Sequence, residues 1–169
     1  SKVLDLGTGT GILSILLSGK TNLNKIYGIE IQEEVANMAQ RSVQLNNLEN
    51  KIEIINKNIK DLENIFEKNS FDAIVTNPPY KKINTGEKNE KENKLISRHE
   101  ITASLDDFIK ISFNLLKDKG SFYMVHRPER LTEIIYKLKQ NKLEPKIIRL
   151  VYSNNKSEPK LVLIKSVKN

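Results

Sequence analysis

The sequence predicts an α/β fold built on a mostly parallel β-sheet, and two features support this prediction. Short β-rich apolar runs alternate with longer segments of helical periodicity, which is typical of βαβ units. A glycine-rich turn from Gly7 to Gly11 stands between the first such run and the first helical segment. The chain of 169 residues suits a single core, so we expect residues 1–169 to form one domain. Because an apolar strand begins at once with Val3, we also expect further residues natural to the protein to precede Ser1.

Seven short runs rich in β-branched and aromatic residues predict the strands. In chain order they are Lys2–Leu6, Lys25–Glu30, Ile52–Asn56, Phe71–Thr76, Phe122–His126, Ile147–Tyr152 and Leu161–Ser166. The last two runs flank a polar turn, and they are therefore expected to form an antiparallel hairpin.

Three helices are predicted in the first half of the chain. The first opens at Ile12 and is expected to end near Gly19, since glycine commonly follows a last helical turn. The second covers Gln32 to Leu45, where apolar residues recur at helical spacing. A short helix follows the third strand and includes Leu62 and Ile65.

Two later helices carry recognisable start signals. Ser104 is a good N-cap with two aspartates in the following turn, and its helix is expected to run to Gly120. Pro128 opens the last helix at the position where proline is tolerated. Residues 81–100 are polar and lysine-rich with few apolar residues, and they predict a long loop of the kind that is often functional or disordered.

The composition excludes several kinds of site. With no cysteine, the chain has no disulfide framework, no thiolate metal site and no cysteine nucleophile. Two histidines without cysteines form no convincing ligand set, so no metal is expected. The longest apolar stretches, such as Ile12–Leu17, are far too short to cross a bilayer, and no signal peptide is visible. These features predict a cytoplasmic protein without membrane contact.

Positive charge is concentrated in the last third of the chain. The net charge is +7, but residues 1–116 carry 15 Lys and Arg against 16 Asp and Glu, whereas residues 117–169 carry 13 against 5. Such a field favours a polyanionic partner such as nucleic acid. Charge alone leaves open the alternative of a lysine- and asparagine-rich surface that is simply solvated.

The glycine turn and Glu30 predict a site for a nucleoside. A nicotinamide or flavin fingerprint would place its third glycine three residues after the second, whereas Gly11 follows Gly9 after two. Glu30 ends the second strand about 20 residues past the glycines, where a carboxylate can accept both ribose hydroxyls. The glycine spacing therefore disfavours an enzyme that binds a dinucleotide cofactor, but it is compatible with another ligand that contains a nucleoside.

The segment Asn77-Pro78-Pro79-Tyr80 directly follows the fourth strand. Two prolines stiffen this turn, so the carbonyls of Asn77 and Pro78 are held outward. The amide oxygen of Asn77 and the Pro78 carbonyl can both accept from a planar NH2 group, which favours a pyramidal nitrogen with an available lone pair. Tyr80 offers a face on which an extruded base can stack. The segment predicts transfer to a planar amino nitrogen, helped by positioning and electrostatics rather than by a strong base.

Together these segments resemble the motifs of class I S-adenosylmethionine-dependent methyltransferases. Asp5–Gly11 is similar to their first motif, and Asn77–Tyr80 to the fourth motif of adenine-N6 and glutamine-N5 methyltransferases. The resemblance implies a Rossmann-like catalytic domain with a seven-stranded sheet in the order 3-2-1-4-5-7-6. It also implies that S-adenosylmethionine is the cofactor and S-adenosylhomocysteine the product. The residues implied to hold the cofactor are Asp5, Gly7, Thr8, Gly9, Gly11, Glu30, Ile31, Asn58, Ile59 and Asn77.

Asn58 departs from the pattern of that family. Many members carry an acidic residue there, hydrogen-bonded to the adenine amino group of the cofactor. The Asn58 amide oxygen can accept the same bond, but Asn58 can equally be the N-cap of the short helix that follows.

Downstream segments resemble one subfamily, the bacterial enzymes that methylate N6 of an adenine next to the anticodon of a valine tRNA. They are Ile96–Glu100, Val125–Leu131 and Leu143–Lys146. The resemblance implies tRNA as partner, a monomer, and phosphate or ribose contacts from Arg98, His99 and Arg127. His99 has the alternative of pairing with Glu100 or capping a helix, and His126 is expected to be a satisfied core histidine.

Three other functions remain open at this stage. One is methylation of N6 of adenine in another RNA or in DNA. A glutamine-N5 methyltransferase of translation release factors would share the Asn77–Tyr80 segment, although the basic residues 117–169 favour RNA. A non-catalytic RNA-binding module could keep the fold, but the intact Asp5, Gly7, Glu30 and Asn77 argue against it.

Overall fold

A seven-stranded sheet in the order β3-β2-β1-β4-β5-β7-β6 organises the protein, as predicted. The computed structural model describes residues 1–80 and 103–169. The strands are β1 (Lys2–Leu6), β2 (Lys25–Glu30), β3 (Ile52–Asn56), β4 (Phe71–Thr76), β5 (Leu116–His126), β6 (Leu143–Tyr152) and β7 (Pro159–Lys168). Neighbours from β3 to β5 pair in parallel, whereas β7 is antiparallel to both β5 and β6. The predicted antiparallel hairpin is therefore confirmed.

Four α-helices connect the described strands. They are α1 (Ile12–Lys20), α2 (Glu33–Leu45), α3 (Leu105–Leu115) and α4 (Leu131–Gln140). Short 3-10 helices cover Ile59–Asn64 and Pro128–Arg130. Ser104 and Asp107 form a reciprocal capping box at the start of α3, which confirms the predicted N-cap. No helix in the described part of the chain is long and apolar enough to span a membrane.

The sheet buries apolar side chains on both faces, because successive residues of a strand point to opposite sides. In β1, Leu4 and Leu6 belong to the larger cluster, which includes Phe108 of α3 and Leu138 of α4. Val3 belongs to the smaller cluster on the other face, with partly buried residues of α1 packed against it. The rigid core thus holds the carboxyl ends of β1, β2 and β4 side by side.

One of the two helix ends predicted near glycines is wrong. Helix α1 ends at Lys20, next to Gly19 as predicted. Helix α3 ends at Leu115 rather than at Gly120, because Leu116 is already extended and pairs with Phe71 of β4. Gly120 lies within β5, where a Cβ atom would stand 2.8 Å from the backbone oxygen of Lys117. This glycine permits close backbone approach at a register shift of the β4–β5 pair.

Replacing Gly11 with alanine should lower the free energy of unfolding by about 1–2 kcal/mol, since a left-handed backbone costs an L-residue about that much. Gly11 has φ +84°, and an added Cβ would meet the Cβ of Ala39 at 3.3 Å. Urea unfolding followed by circular dichroism measures the change. Gly19→Ala is the matched control, because Gly19 lies in α1 with open space around it and alanine should stabilise by about 0.5–1 kcal/mol. Equal effects of the two substitutions would contradict the expectation.

Candidate active site

The carboxyl ends of β1, β2 and β4 open onto a cavity of about 380 Å³. Ligand sites of α/β sheets lie at this edge, and the volume is in the range of small-molecule pockets. Two groups of predicted residues meet in its wall. Those implied to hold a cofactor are Gly7, Gly9, Glu30, Ile31, Asn58 and Ile59, and those implied to hold the acceptor are Asn77, Pro78, Pro79 and Tyr80.

The glycine turn forms a cradle at the floor of this cavity. The backbone N–H groups of Gly7 and Thr8 both donate to the carbonyl of Ile29 at 2.9 Å, which fastens the turn to β2. Gly9 has φ +58°, and no atom lies within 4 Å of the place that a Cβ would take. A ligand can therefore approach the backbone at Gly9 where any other residue would intrude.

Glu30 clamps the turn from the end of β2. Its buried carboxylate accepts from the Gly9 N–H at 3.1 Å through one oxygen and from the Gln32 N–H at 3.0 Å through the other. Each carboxylate oxygen offers a further lone pair. Glu30 can thus accept ribose hydroxyls while it holds the glycine turn in place, and this arrangement fits a nucleoside cofactor.

Asp5, Thr8 and Gly11 lie behind the turn and are not among the residues that line the cavity. The buried Asp5 carboxylate accepts from the Thr8 hydroxyl at 2.7 Å and from the Ser14 hydroxyl at 2.8 Å. Burial raises the pKa of Asp5 to about 6, although these two hydrogen bonds oppose the shift. Asp5 therefore braces the turn against α1, and its implied contact with the cofactor stays a prediction.

The stability of the protein should depend on the ionisation of Asp5. Because folding raises its pKa from 3.8 to about 6, its contribution is complete below about pH 4 and is lost as the pH rises through 6. The loss is about 3 kcal/mol by pH 8. Asp5→Asn should remove this dependence, so the variant should gain stability relative to wild type between pH 4 and pH 8 in urea unfolding.

Asp72→Asn provides the control of opposite sign. Hydrogen bonds from Lys117 and from the backbone of Lys2 lower the pKa of Asp72, so its contribution is lost as the pH falls. Parallel pH profiles for wild type and Asp5→Asn would refute the role given to Asp5.

Asn58 lines the third side of the cavity, and Asn56 holds the nearby ends of β2 and β3 together. The Asn58 amide oxygen accepts from the Lys60 N–H at 3.0 Å, so this residue caps the 3-10 helix while lining the cavity. Asn56 was missed by sequence reasoning. Its side-chain amide donates to the carbonyls of Glu30 and Ile31 at 2.8 and 3.0 Å and so ties the end of β3 to that of β2. Its position at a strand end is the only local signal for this role.

The segment Asn77–Tyr80 forms the wall opposite Glu30. The Thr76 hydroxyl donates to the carbonyl of Leu6 at 2.8 Å, which joins the ends of β4 and β1 beneath the segment. Pro78 is buried, whereas Asn77 is exposed toward the cavity. The Tyr80 hydroxyl donates to the Asn77 amide oxygen at 2.5 Å. In this state the acceptor that the sequence predicts for a substrate amino group is occupied by Tyr80.

Two residues at the end of β5 surround Tyr80. The His126 ring packs against the Tyr80 ring at 5.2 Å between centroids and 61° between planes. The Arg127 guanidinium lies 5.1 Å from the Tyr80 centroid and also donates to the carbonyl of Lys160. Arg127, predicted to contact RNA, thus adjoins the cavity wall.

His126 is only partly as predicted. It is fully buried, but Nδ1 alone has a partner, the N–H of Arg127 at 2.8 Å, and Nε2 has none in the described residues. Burial and the nearby charge of Arg130 lower the pKa of His126. His126 is therefore a core histidine, as expected, but only one of its two ring nitrogens has a partner within the described residues.

Some predicted features lie outside the described residues. These are Arg98, His99 and the loop predicted for residues 81–100. Within residues 1–80 and 103–169, no group of three or more His, Cys, Asp or Glu side chains is arranged to hold a metal ion.

The chain is similar to known proteins over nearly its whole length. A family described as methyltransferase domain matches residues 1–163. The tRNA1(Val) (adenine(37)-N6)-methyltransferase of Porphyromonas gingivalis is 29% identical over 133 residues, covering 78% of this chain and 51% of that protein. The Parabacteroides distasonis protein of the same name is 28% identical over 166 residues, covering 96% of this chain and 67% of that protein. The chain spans about half the length of several curated relatives that it matches.

A solved structure shares the fold. It is an Agrobacterium tumefaciens protein described as a predicted O-methyltransferase, with a TM-score of 0.77 and 18% identity. The match covers 99% of this chain and 73% of that one.

Proposed function

Since this chain belongs to the methyltransferase-domain family, as its motifs predicted, we propose that it transfers a methyl group from S-adenosylmethionine to N6 of an adenine in tRNA. The adenine proposed is the one beside the anticodon of a valine tRNA, as the names of the relatives suggest. An enzyme of this kind works where tRNA is, so we propose the cytoplasm as its location.

One observation carries the proposal: the residues predicted to hold a nucleoside cofactor and those predicted to accept from a planar amino group line one cavity. Gly9 and Glu30 belong to the first set, and Asn77–Tyr80 form the second. Cofactor and substrate bound here would lie side by side, and most of the rate enhancement would come from that proximity. When bound, S-adenosylmethionine supplies a methyl group on a positively charged sulfur.

The protein's own groups act on the amino nitrogen. An amino group on an aromatic base is a poor nucleophile because its lone pair is delocalised into the ring. The Asn77 amide oxygen and the Pro78 carbonyl accept from its two hydrogens, which favours a pyramidal nitrogen and stabilises the positive charge that develops there. Once the Tyr80 hydroxyl has left Asn77, the Tyr80 ring can stack on the extruded base.

The preference for RNA rests on the charge near this cavity. The basic residues 117–169 form β5, α4, β6 and β7, and Arg127 at the end of β5 packs on the Tyr80 ring. Positive charge beside an extruded base can meet the flanking phosphates. The Asn77–Tyr80 segment itself does not distinguish adenine from a glutamine side chain, so the choice of substrate class depends on this charge and on the relatives.

Transfer of labelled methyl groups tests the proposal directly. The full-length protein is incubated with labelled S-adenosylmethionine and either bulk tRNA or a translation release factor. We expect label in tRNA only, recovered as N6-methyladenosine after digestion to nucleosides. Label in the release factor alone would replace the proposal with glutamine-N5 methylation. Loss of one N6-methyladenosine from valine tRNA in a strain without this protein would identify the position.

A further inference from the structure

The Nε2 atom of His126 is a buried polar group without a partner in residues 1–80 and 103–169. A buried donor left unpaired costs stability, and strain, an ordered water or a functional role can each account for one. His126 lies at the end of β5, beside the segment proposed to hold the substrate, and its ring packs against Tyr80. This position makes Nε2 a candidate substrate contact.

The protonation state of His126 follows from its other nitrogen. Nδ1 accepts from the Arg127 N–H at 2.8 Å, so it must keep its lone pair. The neighbouring cations Arg127 and Arg130 disfavour a positive charge on the ring, while Glu133 favours it. A neutral ring with a lone pair on Nδ1 carries its proton on Nε2. His126 therefore offers a neutral N–H donor.

Tyr80 lines the cavity and contacts the ring of His126, which does not itself line the cavity. The Tyr80 hydroxyl takes one of the two acceptor positions of the Asn77 amide oxygen and so competes with a substrate amino group. The proposed stacking of the Tyr80 ring on the base requires this hydroxyl to leave Asn77. Because the rings of Tyr80 and His126 are in contact, that movement would uncover the His126 ring.

We propose that the Nε2–H group of His126 donates a hydrogen bond to N1 of the target adenine, and that His126 is a specificity-determining residue. This proposal rests on the proposed function. In adenine the amino group at C6 is flanked by the lone pair of N1 on the Watson–Crick edge, the edge that enzymes read on an extruded base. When the adenine amino group is bound by Asn77 and Pro78, the Nε2–H group of His126 beside Tyr80 is placed to donate to N1.

Two substitutions separate the nitrogens of His126. In His126→Asn the amide oxygen can stand near the position of Nδ1 and keep the bond from Arg127, but nothing replaces Nε2–H. In His126→Gln the amide nitrogen can stand near the position of Nε2 and keep a donor. A purely structural role through Arg127 would favour the Asn variant, whereas the proposed contact favours the Gln variant. Thermal unfolding of each variant shows whether it folds.

The substrates are anticodon stem-loop RNAs with adenine, 1-deazaadenine or 7-deazaadenine at the target position, and kcat/KM is measured with the full-length protein. Wild type should lose about tenfold or more on 1-deazaadenine. With adenine as substrate, the kcat/KM of His126→Asn should be about tenfold below that of wild type. Replacing adenine by 1-deazaadenine should lower the kcat/KM of this variant less than that of wild type. The comparison of ratios cancels the intrinsic effect of the deaza ring on nitrogen reactivity. His126→Gln should keep most of the activity and of the sensitivity to N1.

Four results would overturn the proposal. Equal 1-deaza losses in wild type and His126→Asn would show that His126 makes no contact with N1. If His126→Asn instead reduces the loss of kcat/KM on 7-deazaadenine, the Nε2–H group binds N7 and not N1. If His126→Asn does not fold, His126→Gln decides. A fall in its kcat/KM on adenine as large as the fall of wild type on 1-deazaadenine would count against the contact. Failure of wild type to methylate any adenine RNA would overturn the proposed function as well, and is thereby distinguishable from the other results.

Discussion

Asn77→Ala should lower kcat for methyl transfer by at least about a hundredfold, in the range seen when one preorganised electrostatic contact is removed from an active site. The substitution deletes the amide oxygen that is proposed to accept from the substrate amino group. The Asn77 side chain is exposed and stands across the cavity from Glu30, so stability and cofactor affinity should change little. Single-turnover transfer to tRNA and calorimetry with S-adenosylhomocysteine measure the two effects separately.

Tyr80→Phe is the matched control for this substitution. It removes the hydroxyl that donates to the Asn77 amide oxygen at 2.5 Å but keeps a ring for stacking. We expect kcat within a few-fold of wild type, since the amide oxygen is then free for substrate. A kcat for Asn77→Ala within about tenfold of wild type would show that the amide does not activate the amino nitrogen.

Glu30→Ala should weaken binding of S-adenosylhomocysteine by about a hundredfold, because hydrogen bonds to a charged group are each worth about 1.5–3 kcal/mol. The substitution removes the carboxylate proposed to accept the ribose hydroxyls. It also frees the N–H groups of Gly9 and Gln32, so the glycine cradle loses its clamp. Calorimetric titration of the full-length protein measures the dissociation constant.

Two variants control for charge and for folding. Glu53→Ala removes an exposed carboxylate of β3 that pairs with Lys25 at 3.3 Å, and it should leave cofactor affinity unchanged. Glu30→Gln keeps one acceptor oxygen but turns an NH2 group toward a backbone donor, so its affinity should fall between those of wild type and Glu30→Ala. A dissociation constant for Glu30→Ala within threefold of wild type would exclude Glu30 from ribose binding.

Features with a local signature were predictable from the sequence. The alternation of apolar periods predicts the strands and their parallel pairing, and the places of the glycine turn, Glu30 and Asn77–Tyr80 at strand ends put them at one edge of the sheet. A glycine carries a weaker signal. Gly120 lies inside β5, where the backbone comes close to other atoms. From the sequence alone, a glycine in this role looks the same as one at a helix end, because the pairing of Leu116 with Phe71 is not visible there.

Contacts between distant segments were not predictable. The Nε2 atom of His126 has no partner in residues 1–80 and 103–169, and the His126 ring packs against Tyr80, which lies 46 residues earlier in the chain. The bonds of Asn56 to the end of β2 cross a strand pair, and nothing in the residue type announces them. The hydrogen bond from the Tyr80 hydroxyl to Asn77 joins residues that are close in sequence. The residues that pack against the Tyr80 ring, His126 and Arg127, are distant in sequence. Such contacts carry no periodicity and appear only in the folded structure.

The place of β7 has a consequence for the order in which the nascent chain can fold. β7 lies between β5 and β6 although it follows both in the chain. As the ribosome delivers the chain, β1 to β5 can pair successively, but β5 keeps one open edge and β6 two until residues 159–168 emerge. Open strand edges invite pairing between chains. The nascent protein is therefore most exposed to pairing with other chains between the synthesis of β5 and that of β7. Val162, which pairs with His126, is delivered with β7, so the wall behind Tyr80 is completed only then.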